Sequence, residues 1–108
     1  LPKDKGEAFV LVEFYAAWCG HCQHFASTYE QIALEARQHL PWLTVAAINC
    51  AEHSAVCSAN EVSSYPTLKL WPGGEVVHDH STKDAVLAEV KRRHSLVDHS
   101  EPDRVQVV

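Results

Sequence analysis

A chain of 108 residues fits one compact domain with a modest core. Its hydrophobic fraction of 46% and charged fraction of 21% are those of an ordinary globular protein. A net charge of -5 argues against a nucleic-acid binder, which usually presents a basic face, and no apolar run approaches the roughly 18 residues that span a bilayer.

The first predicted element is a strand over residues 8 to 15, "AFVLVEFY", apolar and rich in β-branched and aromatic types, interrupted by Glu13. From about Cys19 to Gln38 the period becomes helical. Phe25, Tyr29, Ile32, Ala36 and Leu40 recur at steps of three and four, and Pro41 ends the pattern. "WLTVAAIN", residues 42 to 49, reads as a second buried strand, and "AEHSAVCSAN", residues 51 to 60, as a short helix. "SSYPTLKLW" leads into a third strand at about 67 to 71, "PGG" is a tight turn, and "EVVHDH" is an antiparallel return strand. Ser81 or Thr82 caps a last helix that runs to about His94, with Val86, Leu87 and Val90 inward. Lys91, Arg92, Arg93 and His94 would then end it, where positive charge suits the helix dipole. Residues 95 to 108 show no period and read as a tail or linker, leaving one domain over 1 to 94. The order β-α-β-α-β-β-α is that of an α/β fold with a mixed central sheet.

The chain has four cysteines, spaced as Cys-x-x-Cys and then Cys-x6-Cys, which suggests two separate pairs. Cys19 and Cys22 stand where a strand gives way to a helix. A helix start offers unpaired N–H groups and partial positive charge, which favour a thiolate. Cys19 is therefore the expected attacking, partly exposed sulfur. Cys22, one turn in, is expected to be more buried and able to resolve a mixed disulfide on Cys19. Gly20 is expected to let the chain turn tightly, and His21 to favour the thiolate and so make the disulfide more oxidising. A redox pair competes here with a structural zinc site and a plain structural disulfide. Zinc would need two more ligands in register, and a bond across one helical turn closes too short a loop to stabilise much.

The residues around this pair carry a resemblance. "VEFYAAWCGHC" resembles the active-site strand and motif of the thioredoxin fold in its protein disulfide isomerase form, and "SYPTLKLW" its second signature, a loop with a cis-proline opposite the active site. The likeness covers about residues 8 to 94. It implies that Cys19 is the nucleophile and Cys22 the resolving thiol, flanked by Trp18. It also implies a cis Pro66, with Tyr65 and Thr67 beside it, whose backbone edge pairs with substrate. Glu13 would be the buried acid that relays protons for Cys22, and burial in a strand should raise its pKa towards neutrality. Such a domain works on unfolded or reduced client proteins in the endoplasmic reticulum lumen or secretory pathway. It needs no metal and no cofactor in this chain.

Some positions depart from the isomerase pattern. Ala47 stands where a lysine often lies near the acid, Ser63 and Ser64 where an arginine often precedes the proline loop, and Ser27 where the active-site helix often has a proline. "AAINCAEHSAVC" is similar to the first thioredoxin domain of the quiescin–sulfhydryl oxidases. That likeness implies a structural disulfide between Cys50 and Cys57, and FAD in another domain of a longer protein. The alternative is a non-catalytic thioredoxin-fold module that only holds clients. The fold usually opens with a further strand and helix, and with about eight residues before the active-site strand this unit is expected to be shortened or absent. "RVQVV" at the C-terminus is strand-like and could pair with a sheet edge in its own or a neighbouring molecule. With no methionine, a processed chain or an excised domain is expected. His78 and His80, two apart, read as a solvated strand face, and Trp42 and Trp71 as core.

Overall fold

The computed structural model describes residues 8–99. The elements are β1 (Phe9–Tyr15), α1 (Gly20–His39), β2 (Leu43–Asn49), α2 (Ser54–Ala59), β3 (Thr67–Trp71), β4 (Glu75–Val76) and α3 (Lys83–His99). They follow the expected order. The sheet runs β2-β1-β3-β4, with β1 parallel to β2 and antiparallel to β3, and β3 antiparallel to β4.

β1 is central, and its alternation separates two cores. Phe9 and Leu11 pack with Phe25, Tyr29, Ile32 and Ala36 of α1 and with Val86, Leu87 and Val90 of α3. Leu68 and Leu70 of β3 complete that layer. Full burial of each such aliphatic side chain contributes about 2 kcal/mol. Val12 and Phe14 point the other way, into a smaller cluster with Cys50 and Cys57. Trp42 packs edge-on against Phe9 and stacks on His94, and Trp71 packs against Phe14.

The hairpin turn falls on Pro72, Gly73 and Gly74, as expected. The Trp71–Pro72 bond is cis, and both glycines have positive φ, 108° and 71°. A Cβ on Gly74 would lie 3.0 Å from the Trp71 ring, so backbone angle and space both select glycine there. The return strand is shorter than its sequence suggests. Only Glu75 and Val76 pair, and Val77 adds one further bond to the Leu68 carbonyl. Asp79 then accepts hydrogen bonds from the Ser81 N–H and Oγ, which turns the chain towards α3. Thr82, not Ser81, caps α3, since its Oγ1 accepts from the Ala85 N–H at 3.0 Å.

The end of α3 also differs. The helix continues past His94 to His99, so the domain boundary placed at 94 falls inside a helix. No glycine or proline interrupts 95 to 99, and Val97 packs against the main core. The basic run therefore lies within the helix rather than at its end. Arg92 and Arg93 both pair with Glu89, and Arg93 also donates to the Glu75 and Val76 carbonyls, tying α3 to β4. The "RVQVV" segment and the residues before 8 lie outside the described residues.

Candidate active site

β1 delivers the chain to Ala16, which is buried, and the Cys19 N–H bonds back to the Ala16 carbonyl at 3.0 Å. Cys19 then takes an extended conformation, φ -83° and ψ 122°, as the N-cap of α1. Its sulfur replaces the usual capping oxygen and accepts the Cys22 N–H at 3.3 Å. Both cysteines are free thiols. Cys19 is 8% exposed and Cys22 4%, so the expected order holds, but Cys19 is more enclosed than anticipated.

The two sulfurs differ sharply in acidity. Cys19 is held below the ordinary thiol range, first by the Cys22 thiol and then by the Cys22 and His21 backbone N–H groups. Cys22 is pushed up to about 11, chiefly by burial and then by the Cys19 sulfur. His21 thus favours the Cys19 thiolate through its backbone N–H, while its side chain is exposed. Gly20 is corrected as well. It is the first residue of α1, and a Cβ there would meet nothing within 4 Å, so no tight turn requires glycine.

Across from the pair stands the loop before β3. The Tyr65–Pro66 peptide bond is cis. The Cys19 S–H donates to the Tyr65 carbonyl at 3.6 Å, and Tyr65 packs against the cluster of Ala16, Cys19 and Cys22. Trp18 is 69% exposed and meets the Tyr65 ring edge-on at 5.8 Å between centroids. Serines 63 and 64 lie exposed at the start of this loop.

Glu13 sits on the α1 side of β1, paired in register with Ala47 on β2 and Leu68 on β3. It is 6% exposed, and burial alone raises its carboxyl to about 7. Its charge acts on both Cys22 and Cys19, raising each. Position 47, where a lysine would help to hold that carboxyl ionised, presents only a methyl group.

Two residues near the site make contacts that the sequence reading did not foresee. Tyr29 is buried, and its hydroxyl donates to the Ala46 carbonyl at 2.7 Å and lies 3.2 Å from that of Leu11, pinning α1 to β1 and β2. Burial first, and then the Glu13 charge, raise its pKa. The signal was its spacing of seven from Cys22, which puts both on one helix face. His80 was read with His78 as part of a solvated strand face. No strand exists there, and His80 instead packs edge-on against Phe25, 5.4 Å between ring centroids.

Cys50 and Cys57 form a disulfide that joins the end of β2 to α2. The Cys50 N–H bonds to the Tyr15 carbonyl at 2.7 Å, and Val62 bonds back to the Cys57 carbonyl at 3.0 Å. Tyr65 packs against this cluster too, so it joins the two clusters in which the cysteine pairs lie. Among the described residues no group of three or more His, Cys, Asp or Glu side chains is placed to hold a metal ion. No helix among them is long and apolar enough to cross a membrane.

A mixed sheet with a dithiol at the first helix cap and a cis-proline loop opposite defines a recognisable class. The family described as "Thioredoxin" matches residues 3–92. The chain belongs to the thioredoxin family, as a thioredoxin domain of the protein disulfide isomerase superfamily. It is 46% identical over 84 residues to protein disulfide-isomerase A4 of Bos taurus, covering 76% of this chain and 13% of that protein. Against protein disulfide-isomerase A4 of Homo sapiens the figures are 40% over 101 residues, 92% of this chain and 16% of that protein. A probable protein disulfide-isomerase A6 of Medicago sativa is 44% identical over 73 residues, 68% of this chain and 19% of that protein. This chain therefore spans less than a fifth of the length of these relatives. The solution structure of the first thioredoxin domain of mouse protein disulfide-isomerase A4 superposes with a TM-score of 0.71 at 35% identity, over 94% of this chain and 70% of that one.

Proposed function

We propose that this domain is a thiol–disulfide oxidoreductase that oxidises or isomerises disulfides in client proteins of the endoplasmic reticulum or secretory pathway. One observation supports it most. A sulfur of lowered pKa, Cys19, lies at a helix N-cap 3.6 Å from the backbone carbonyl of Tyr65, next to the cis Pro66. A client strand pairing with that loop edge would bring its own sulfur against Cys19.

The reaction starts from the Cys19–Cys22 disulfide. A client thiolate attacks Cys19 Sγ, forming the mixed disulfide and breaking the Cys19–Cys22 bond. Cys22 leaves as a thiolate. With a pKa near 11 it takes a proton at once, and Glu13, near 7, is the buried acid that gives it. A second client thiolate then attacks the client sulfur of the mixed disulfide. Cys19 departs as a stabilised thiolate, and the client is released oxidised, two electrons poorer. In the reverse sense Glu13 takes the Cys22 proton, and Cys22 attacks Cys19 to free a client thiol. Trp18 and Tyr65 line the entrance. No step needs a metal or a cofactor within this chain.

The relatives named above favour an isomerase as the parent protein. A sulfhydryl oxidase, in which FAD in another domain would reoxidise the dithiol, rests on "AAINCAEHSAVC" and on Ala47 beside Glu13. The deciding experiment uses catalytic amounts of domain with a reduced dithiol peptide and a glutathione redox buffer. Many turnovers, abolished in Cys19→Ser, with a potential near about -180 mV, are expected. A rate no higher than buffer alone would leave the non-catalytic client-binding module.

A further inference from the structure

A cleft of about 440 Å³ lies beside the dithiol, between the first turns of α1, the Tyr65–Pro66 loop and the bend at His80. His21, His24 and His80 all line it, and Phe25, Tyr65 and Pro66 supply its apolar walls. The imidazoles come from two separate segments, brought together by the edge contact of His80 with Phe25. The Nδ1 of His80, a residue of the cleft wall, is buried without a hydrogen-bond partner.

The cleft differs in charge from the rest of the molecule. The chain carries a net -5, yet no Asp or Glu lines this cleft. Asp79 is the nearest acid in sequence, and its carboxylate is already engaged by the Ser81 N–H and Oγ. Its charge does reach His80, but it stands outside the lining. Each imidazole offers at least one N–H donor in either protonation state, and two when charged. Three such groups spread around one cleft that has no carboxylate favour an anionic acceptor there. The apolar walls suit the methylene stem of that acceptor, and the adjoining loop edge is where a client strand would lie.

We infer that this cleft is a specificity subsite that receives an acidic side chain of the client, a glutamate above all, close to its reacting cysteine. The inference rests on the oxidoreductase reading for its link to turnover, but the binding preference can be measured without it. A client carrying a glutamate at the right offset docks with its sulfur already beside Cys19. A lysine there meets no carboxylate and is disfavoured.

The test uses short peptides with the reacting cysteine replaced by serine, so that only binding is read. Glutamate, glutamine or lysine is placed in turn at each position from two before to two after that site. Dissociation constants are measured by fluorescence anisotropy for the domain and for the double variant His24→Ala, His80→Phe. The phenylalanine keeps an aromatic edge against Phe25 while removing the nitrogens, and circular dichroism checks the fold. At one position the domain should prefer glutamate over glutamine by about tenfold, as for a charged hydrogen bond. In the double variant this ratio should fall towards one. Equal binding of the glutamate and glutamine peptides at every position would overturn the inference, as would an undiminished ratio in the folded double variant. The cysteine-containing peptides, run as substrates, report separately on the enzyme. A glutamate preference in binding without any turnover would remove the oxidoreductase reading and leave the subsite standing.

Discussion

Replacing Glu13 by glutamine should change how stability depends on pH by a predictable amount. Burial raises the Glu13 carboxyl from 4.5 to about 7 in the folded chain. The folded state therefore holds its proton more tightly than the unfolded state does. Stability contributed at this site is intact below about 4.5, falls as pH rises towards 7, and is flat above. Each pKa unit is worth about 1.4 kcal/mol, so the full loss is roughly 3 kcal/mol. Glutamine does not titrate, and whatever its amide costs in the strand is the same at every pH. The assay is urea unfolding of wild type and Glu13→Gln at intervals from pH 4 to pH 8.5. The variant should gain about 3 kcal/mol on the wild type across that range, because only the wild type must bury a charge at the upper end. A stability difference constant to within about 0.5 kcal/mol would refute the reasoning. It would mean that Glu13 is ionised and solvated in the folded state, and its role as proton donor to Cys22 would go with it.

Iodoacetamide at pH 7 should alkylate Cys19 of the reduced domain and spare Cys22, whose thiol titrates near 11; peptide mapping that found Cys22 modified first would reverse the assigned roles. Converting Cys50 and Cys57 together to alanine should cost about 2.5 kcal/mol in denaturant unfolding, the loop-closure value for a separation of 7, and a cost below about 1 kcal/mol would show that the disulfide adds little. Tyr29→Phe removes the hydroxyl that donates to the Ala46 carbonyl and should cost about 1 kcal/mol, with thermal unfolding as the check. An unchanged midpoint would mean that water replaces that bond.

Much of this molecule is legible in its sequence because periodicity and punctuation agree. The apolar run broken only by Glu13, the helical recurrence from Phe25 to Ala36, and the Pro-Gly-Gly turn each state their element locally, and each element forms where expected. What was not legible depends on contacts distant in sequence. The continuation of α3 past His94 goes with Val97 reaching the core, which no local signal records. β4 ends at Val76, and beyond it Asp79 captures Ser81, an interaction no alternation pattern records. His80 looked solvated beside His78 because strand spacing was assumed for both, and only its contact with Phe25 reveals the cleft. Gly20 misled in the opposite way. A glycine between two cysteines suggested a backbone demand, yet the position is ordinary helix in open space.

The placement of Tyr65 between the two cysteine pairs has an evolutionary side. The acid strength of Cys19 is lowered from within α1, by the Cys22 thiol and the Cys22 and His21 N–H groups, against a lesser opposing effect of the Glu13 charge. Access to it is set by a loop whose footing is α2 and the second disulfide. The two properties are therefore written in different parts of the chain. Substitutions between Ser58 and Ser64 can reshape which polypeptides reach the sulfur while leaving its chemistry alone, and changes at the helix cap can retune the chemistry without redrawing the entrance. A lineage that copies this domain could vary the entrance to the sulfur one loop at a time.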